Sequence, residues 1–191
     1  MFLRLFATLG LVALAACSAP ATLDEPPVNM GDFRLGHTAV VVDNPEQGPF
    51  SRNATDEELK AAIEKGLQDR FGPYEGDKFY HIGVKLDLYA LALPGVPVVA
   101  NPKSAFVVTV TIWDDESQTV LSEEGGKGMI VYEGASAESF ISSGLMRNKK
   151  VQMEVLSANT AKAIQDYILE HPEWIGLPPL DDTCLLYTSP S

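Results

Sequence analysis

The stretch FYHIGVKLDLYALA, Phe79 to Ala92, alternates with a period of two. Tyr80, Ile82, Val84, Leu86, Leu88 and Ala90 are apolar, and His81, Lys85 and Asp87 fall between them. Successive side chains of a strand point to opposite faces, so this pattern predicts a long strand with one core face and one wetter face. The alternation returns in SAFVVTVTIWDD, Ser104 to Asp115. There Phe106, Val108, Val110 and Ile112 share one side, and Ala105, Val107, Thr109, Thr111 and Trp113 the other. The acidic run DDESQ, Asp114 to Gln118, suits a hairpin turn. A further strand is expected over Lys127 to Glu133, with a short one over Thr119 to Ser122.

Helical patterns flank these strands. TAVVVD, Thr38 to Asp43, is β-branched and reads as a first strand. In Thr55-Asp56-Glu57-Glu58 the threonine and the glutamate three residues on form a capping box, in which each side chain satisfies a free backbone N–H. Leu59, Ala62, Ile63, Gly66 and Leu67 then recur at helical spacing, with Phe71 one turn further, and Gly72-Pro73 is a stop. A longer helix is expected from about Asn148 to Glu170. Its stripe is Met153, Leu156, Thr160, Ala163, Ile164, Tyr167 and Ile168, and His171-Pro172 ends it. The order β-α-β-β-β-α predicts an α+β two-layer sandwich, an antiparallel sheet with both helices on one face, formed by a single domain over residues 31–177.

Charge narrows the partners. The chain of 191 residues carries a formal net charge of −12. A phosphate backbone is bound by clustered Lys and Arg, which this sequence lacks, so nucleic acid is not an expected partner.

The amino terminus has the three parts of an export signal. Arg4 supplies a positive charge, Leu5 to Ala13 is apolar but for Thr8 and Gly10, and small residues follow at Ala15 and Ala16. Leu14-Ala15-Ala16-Cys17 resembles the bacterial lipobox. The resemblance implies cleavage before Cys17, a diacylglycerol on its thiol, and a third acyl chain on the new amino group. One acyl chain is a reversible anchor, whereas two or three hold the protein at a membrane without a transmembrane helix. Ser18 stands where the resemblance to enterobacterial lipoproteins would place an aspartate for inner-membrane retention, so the outer membrane, periplasmic face, is the expected site. Residues 1–16 are then a signal peptide and residues 17–30 a lipidated terminus and proline-bearing tether, able to hold the domain up to roughly 40 Å from the lipid.

The carboxyl terminus yields a second resemblance. CLLYTSPS, Cys184 to Ser191, is similar to a translated sequencing adapter, which would make residues 184–191 non-native and residues 178–183 a short tail. Cys17 is then the only native cysteine, and the mature domain would hold no disulfide.

The order of strands and helices resembles that of small periplasmic lipoproteins, including those of lipopolysaccharide assembly. The segment LPGVPVVANPKSAFVVTVTIWDD and the SGL element before the last helix resemble a lipoprotein family of marine alphaproteobacteria. That family brings no known activity and no functional residues.

Catalysis would need converging groups, and the three histidines are scattered: His37 before the first strand, His81 on the wetter strand face, His171 at a helix end. His81 with Lys85 and Asp87 would line one strand face and form the one arrangement to inspect, although ordinary exposed sheet surface is by far the simpler explanation. Asp114, Asp115 and Glu116 lack the surrounding loop of a calcium site. No P-loop, GxSxG, HExxH or nucleotide fingerprint is present, so no metal, cofactor or enzymatic activity is expected. The loop residues Pro94, Gly95, Val96, Pro97, Val98 and Val99 are apolar and stiffened by proline. They either pack against their own domain or form a partner contact.

The function expected is that of a noncatalytic lipoprotein in envelope assembly or maintenance, acting through protein or glycolipid contacts. A module binding a small or lipid-like ligand between sheet and helices is the alternative, and a hydrolase the third. The anchor has a direct test: Cys17→Ser should abolish labelling by a fatty-acid analogue, and retention of the label would overturn the lipobox reading.

Overall fold

Thr55 and Glu58 begin the first helix as a reciprocal pair. The Thr55 hydroxyl accepts from the Glu58 N–H at 3.2 Å, and the Glu58 carboxylate accepts from the Thr55 N–H at 2.9 Å. The computed structural model describes residues 28–93, 104–133 and 148–178. In chain order these form β1 (Phe33–Val41), β2 (Glu46–Gln47), α1 (Asp56–Phe71), β3 (Lys78–Ala90), β4 (Ala105–Asp114), β5 (Thr119–Val120), β6 (Lys127–Tyr132) and α2 (Lys149–Leu169). A one-turn 3-10 helix, Pro172–Ile175, follows. Asn148 caps α2, its side-chain oxygen accepting from the Val151 N–H, as a small polar residue should at a helix start.

The α+β two-layer arrangement is as expected, but the sheet is mixed rather than antiparallel. β3 and β4 are antiparallel, as are β4 and β6 and the short pair of β4 with β5. β1, by contrast, runs parallel to β3, and so does β2. The reason is the helix between them. A helix laid along the sheet carries the chain back to the end where it started, so the next strand repeats the direction of the last. β1 also starts at Phe33, ahead of the expected Thr38, because Arg34 and Leu35 already pair with Phe79 and Tyr80.

The expected core face of β3 holds from Tyr80 to Leu86 and then inverts. A bulge falls between Leu86 and Leu88, where the register moves from Val108 directly to Val107. One extra residue exchanges the faces of all that follow. Tyr89 and Leu91 therefore enter the core, and Leu88 and Ala90, expected there, lie on the other face.

The buried side of the sheet meets both helices. Phe106, Val108, Val110 and Ile112 pack with Leu59, Ile63 and Leu67 of α1 and with Leu156, Ile164 and Ile168 of α2. The helices cross at a glycine. A Cβ on Gly66 would lie 2.8 Å from backbone atoms of Ser157, closer than real side chains come. Their starts are joined as well: the Lys149 ammonium donates to both Glu58 oxygens at 2.6 Å. That hydrogen bond and the one from Thr55 hold the Glu58 carboxyl below its ordinary range.

At the start of β3 the two ends of the domain meet. Met30, at the end of the expected tether, is already buried. The Asp32 N–H donates to the Ile175 carbonyl at 2.9 Å, the Lys78 N–H to the Asp32 carbonyl at 2.9 Å, and the Tyr80 hydroxyl to the Trp174 carbonyl at 2.6 Å. Phe33 stacks on Tyr80 at 5.2 Å and tilts against Phe71 at 5.5 Å, filling the same end.

The close crossing predicts that Gly66→Leu lowers stability by about 2–3 kcal/mol, the cost of forcing a side chain into a filled contact. Urea unfolding measures it, and an unchanged midpoint would show that the helices separate without penalty.

Candidate functional site

Among the described residues both helices lie on one face of the sheet, and on the other the residues between the core positions of β3 and β4 form an open face. Three zones follow one another along it. The first surrounds His81. Its Nδ1 accepts from the His37 N–H at 2.8 Å, and its Nε2 lies 3.2 Å from Asp115 Oδ1. The ring of His37 stacks on that of His81 at 5.2 Å, with 13° between planes. The arrangement depends on a bulge in β1 between Leu35 and Thr38, where Gly36 and His37 leave the ladder. It also depends on Gly36 having no side chain, because a Cβ there would sit 2.5 Å from His81 Nδ1.

The second zone is centred on Asp87. Its Oδ1 accepts from the Lys85 ammonium at 2.7 Å and its Oδ2 from the Thr109 hydroxyl at 2.7 Å. Partial burial opposes ionisation of this carboxyl. The bonds from Lys85 and Thr109 outweigh that, and Asp87 is held below its ordinary value.

The third zone is apolar, and the β3 bulge adds two residues to it. Leu88 and Ala90 turn onto the open face opposite Val107 and Ala105 of β4, and β6 adds Ile130 and Tyr132, which are 61% and 54% exposed. At this end the chain leaves the described residues at Leu93 and returns at Ser104. The Ser104 hydroxyl accepts from the Ala92 N–H at 3.1 Å, and the buried Gln152 amide donates to the Ala92 carbonyl at 3.2 Å. Across the same end, Ser51 bridges to Ala92 and its hydroxyl accepts from the Leu91 N–H at 2.8 Å.

The grouping of His81, Lys85 and Asp87 is thus divided. Lys85 and Asp87 pair with each other, and His81 takes partners from elsewhere in the chain. Thr109 was legible as an open-face residue of β4 and Asp115 as part of the acidic turn. His37 was not, because nothing local reveals the β1 bulge beyond the presence of Gly36. Cys17 and Pro94 to Val99 lie outside the described residues. Among the described residues no helix is long and apolar enough to cross a membrane.

No protein-family model and no curated protein matches the chain. Among solved structures, it is similar to a "putative lipoprotein" from Caulobacter crescentus CB15, at 11% identity over 77% of this chain and 92% of that one, with a TM-score of 0.35. A hypothetical protein from Chlamydia trachomatis is similar at 9% identity over 76% and 97%, with a TM-score of 0.34. A DUF330 protein from Xanthomonas campestris is similar at 10% identity over 75% and 82%, with a TM-score of 0.29. Likeness this distant leaves the reading of the chain to its own residues.

Asp87 gives the second zone a pH signature. Its folded value lies below the ordinary 3.8, so the stabilisation is present at neutral pH and is lost as the pH falls through the folded value. Thr109→Val should cost about 1–2 kcal/mol at pH 7. In unfolding measured against pH, that difference should shrink below 3.8. A constant difference would mean that Thr109 does not act through the carboxylate.

Proposed function

We propose that this chain is a noncatalytic, lipid-tethered contact module of the bacterial cell envelope, serving assembly or maintenance by binding a protein or a glycolipid. The observation that carries the proposal is the apolar third zone. Ile130 and Tyr132 stand exposed beside Leu88 and Val107 on a face that the two described helices leave uncovered, and exposed apolar surface grouped in this way is characteristic of contact sites.

Position supports the same reading. The two ends of the domain meet at the start of β3, and the apolar zone lies at its other end. A strand of 13 residues is roughly 40 Å long, so a tether running from Cys17 to Met30 enters far from the contact zone. The lipobox resemblance supports anchoring, and Ser18 supports the periplasmic face of the outer membrane.

The polar zones support a noncatalytic role. Both ring nitrogens of His81 are engaged by the fold, and Asp87 is occupied by Lys85 and Thr109. The layer between sheet and helices is filled by fully buried side chains such as Leu59, Ile63, Phe106 and Leu156, which favours the open face over an internal ligand cleft.

A photoreactive residue in place of Tyr132, activated in native membranes, should give a discrete adduct with an envelope protein or a glycolipid. The same residue in place of Lys162, on the exposed side of α2, is the control. Absence of adduct at Tyr132, or identical adducts at both positions, would overturn the proposal.

A further inference from the structure

The first zone carries an inference of its own, independent of the apolar one. In β1 the register advances from Leu35 to Thr38 while β3 advances only from Tyr80 to Ile82. One residue of β1 is therefore in excess, and the ladder cannot supply a partner for every backbone group there. The His37 N–H finds its acceptor in an imidazole nitrogen, His81 Nδ1, at 2.8 Å.

That bond fixes the state of the ring. A nitrogen that accepts from an N–H offers its lone pair, so the ring proton sits on Nε2 and is directed at Asp115 Oδ1, 3.2 Å away. Imidazole is the side chain whose charge changes in mildly acidic solution. When His81 takes a second proton, Nδ1 becomes a donor facing another donor, and the His37 N–H loses its acceptor. The ring cannot shift deeper to escape, since Gly36 already lies against it.

The surrounding charges act in known directions. From β1, the stacked His37 ring repels an imidazolium once it is charged itself, and Arg34, beside Phe79, adds positive charge on the same strand. From the turn after β4, Asp115 favours the imidazolium, and its Oδ1 also lies 3.4 Å from the Gln118 amide. Along β3 the next charge is Lys85, already paired with Asp87. Opposite His81 on β4 stands Trp113, which does not titrate.

We propose that His81 is a proton-operated latch on the β1 bulge: neutral, it holds the His37 backbone against β3, and protonated, it turns toward Asp115 and releases it. Acid thereby loosens the first strand of the domain at its middle and leaves the α1–α2 layer in place.

The test uses nuclear magnetic resonance on the full-length chain. At pH 8 the imidazole nitrogen shifts should report the Nε2–H form of His81. Between pH 8 and pH 5, protection of the His37 amide from exchange, corrected for the intrinsic pH dependence, should fall about tenfold, roughly the weight of one lost hydrogen bond. The amides of β4 should keep theirs. His81→Asn can accept the same bond through Oδ1 without titrating and should hold the protection constant across the range. His37→Ala keeps the backbone N–H and should retain the transition, and Asp115→Asn should move it to lower pH. An Nδ1–H form at pH 8, unchanged protection in the parent chain, or a persisting transition in His81→Asn would each overturn the latch.

Discussion

β3 is held on both edges by strands that run in opposite senses relative to it, and most of the remaining architecture follows from that constraint. Its 13 residues pair with β1 in parallel on one side and with β4 antiparallel on the other. The parallel pairing requires α1 to lie along the sheet, whereas the antiparallel one needs no such crossover. Once α1 covers part of the apolar face, Phe106, Val108 and Val110 of β4 would remain exposed without a second helix. α2 supplies it, close enough to α1 that Gly66 meets the Ser157 backbone. Hydrophobic burial of this kind is non-directional, so the glycine contact and the Glu58–Lys149 pair give the two helices their particular register.

The two bulges do for the open face what the pairing does for the buried one. In β1 the extra residue frees a backbone N–H and brings it to His81. In β3 the extra residue turns Leu88 and Ala90 outward and Tyr89 and Leu91 inward. Without the β3 bulge Tyr89 and Leu91 would take the open face in place of Leu88 and Ala90, and without the β1 bulge the His37 N–H would stay in the ladder. With both bulges the open face divides into an imidazole zone, a carboxylate zone and an apolar zone in sequence along one strand. Bulges commonly re-aim side chains in this way, at a cost in ladder bonds that other groups must replace. Here the His81 ring and the Thr109–Asp87 bond do the replacing and the bracing.

Much of the fold was legible because its determinants are local. The alternation in Phe79 to Leu86 and in Phe106 to Ile112, the capping box at Thr55 and the stripe from Met153 to Ile168 each rest on neighbours within a turn or a pleat. The β3 bulge was not legible, since Leu88 and Ala90 continue the apolar pattern past the point where the backbone departs from it. The start of β1 was obscured by Gly36 and His37, which break the alternation because they sit at the bulge. The parallel pairing is a property of the connection, not of the strand residues. The site suffered most: His81 takes its partners from 44 and 34 residues away, and no local pattern records such distances.

The placement of the chain ends gives the open face its significance. Asp32, Lys78 and Ile175 are tied by backbone hydrogen bonds, and Gly176 can turn away there only because it adopts a left-handed backbone, φ 71°, with no Cβ to meet the Asp32 carboxylate. On the proposed reading, a pull from a lipid tether at Cys17 would therefore enter at a point clasped by both ends of the domain and be passed to the central strand. The opposite end carries Ile130 and Tyr132, and nearby Phe50, 73% exposed, holds a left-handed backbone uncommon for a bulky residue. On the proposed reading, anchor and contact lie toward opposite ends of the central strand. The imidazole zone belongs to the anchored end. Protonation of His81 would thus alter how the first strand is held at its middle, on the half of β3 nearer the anchor.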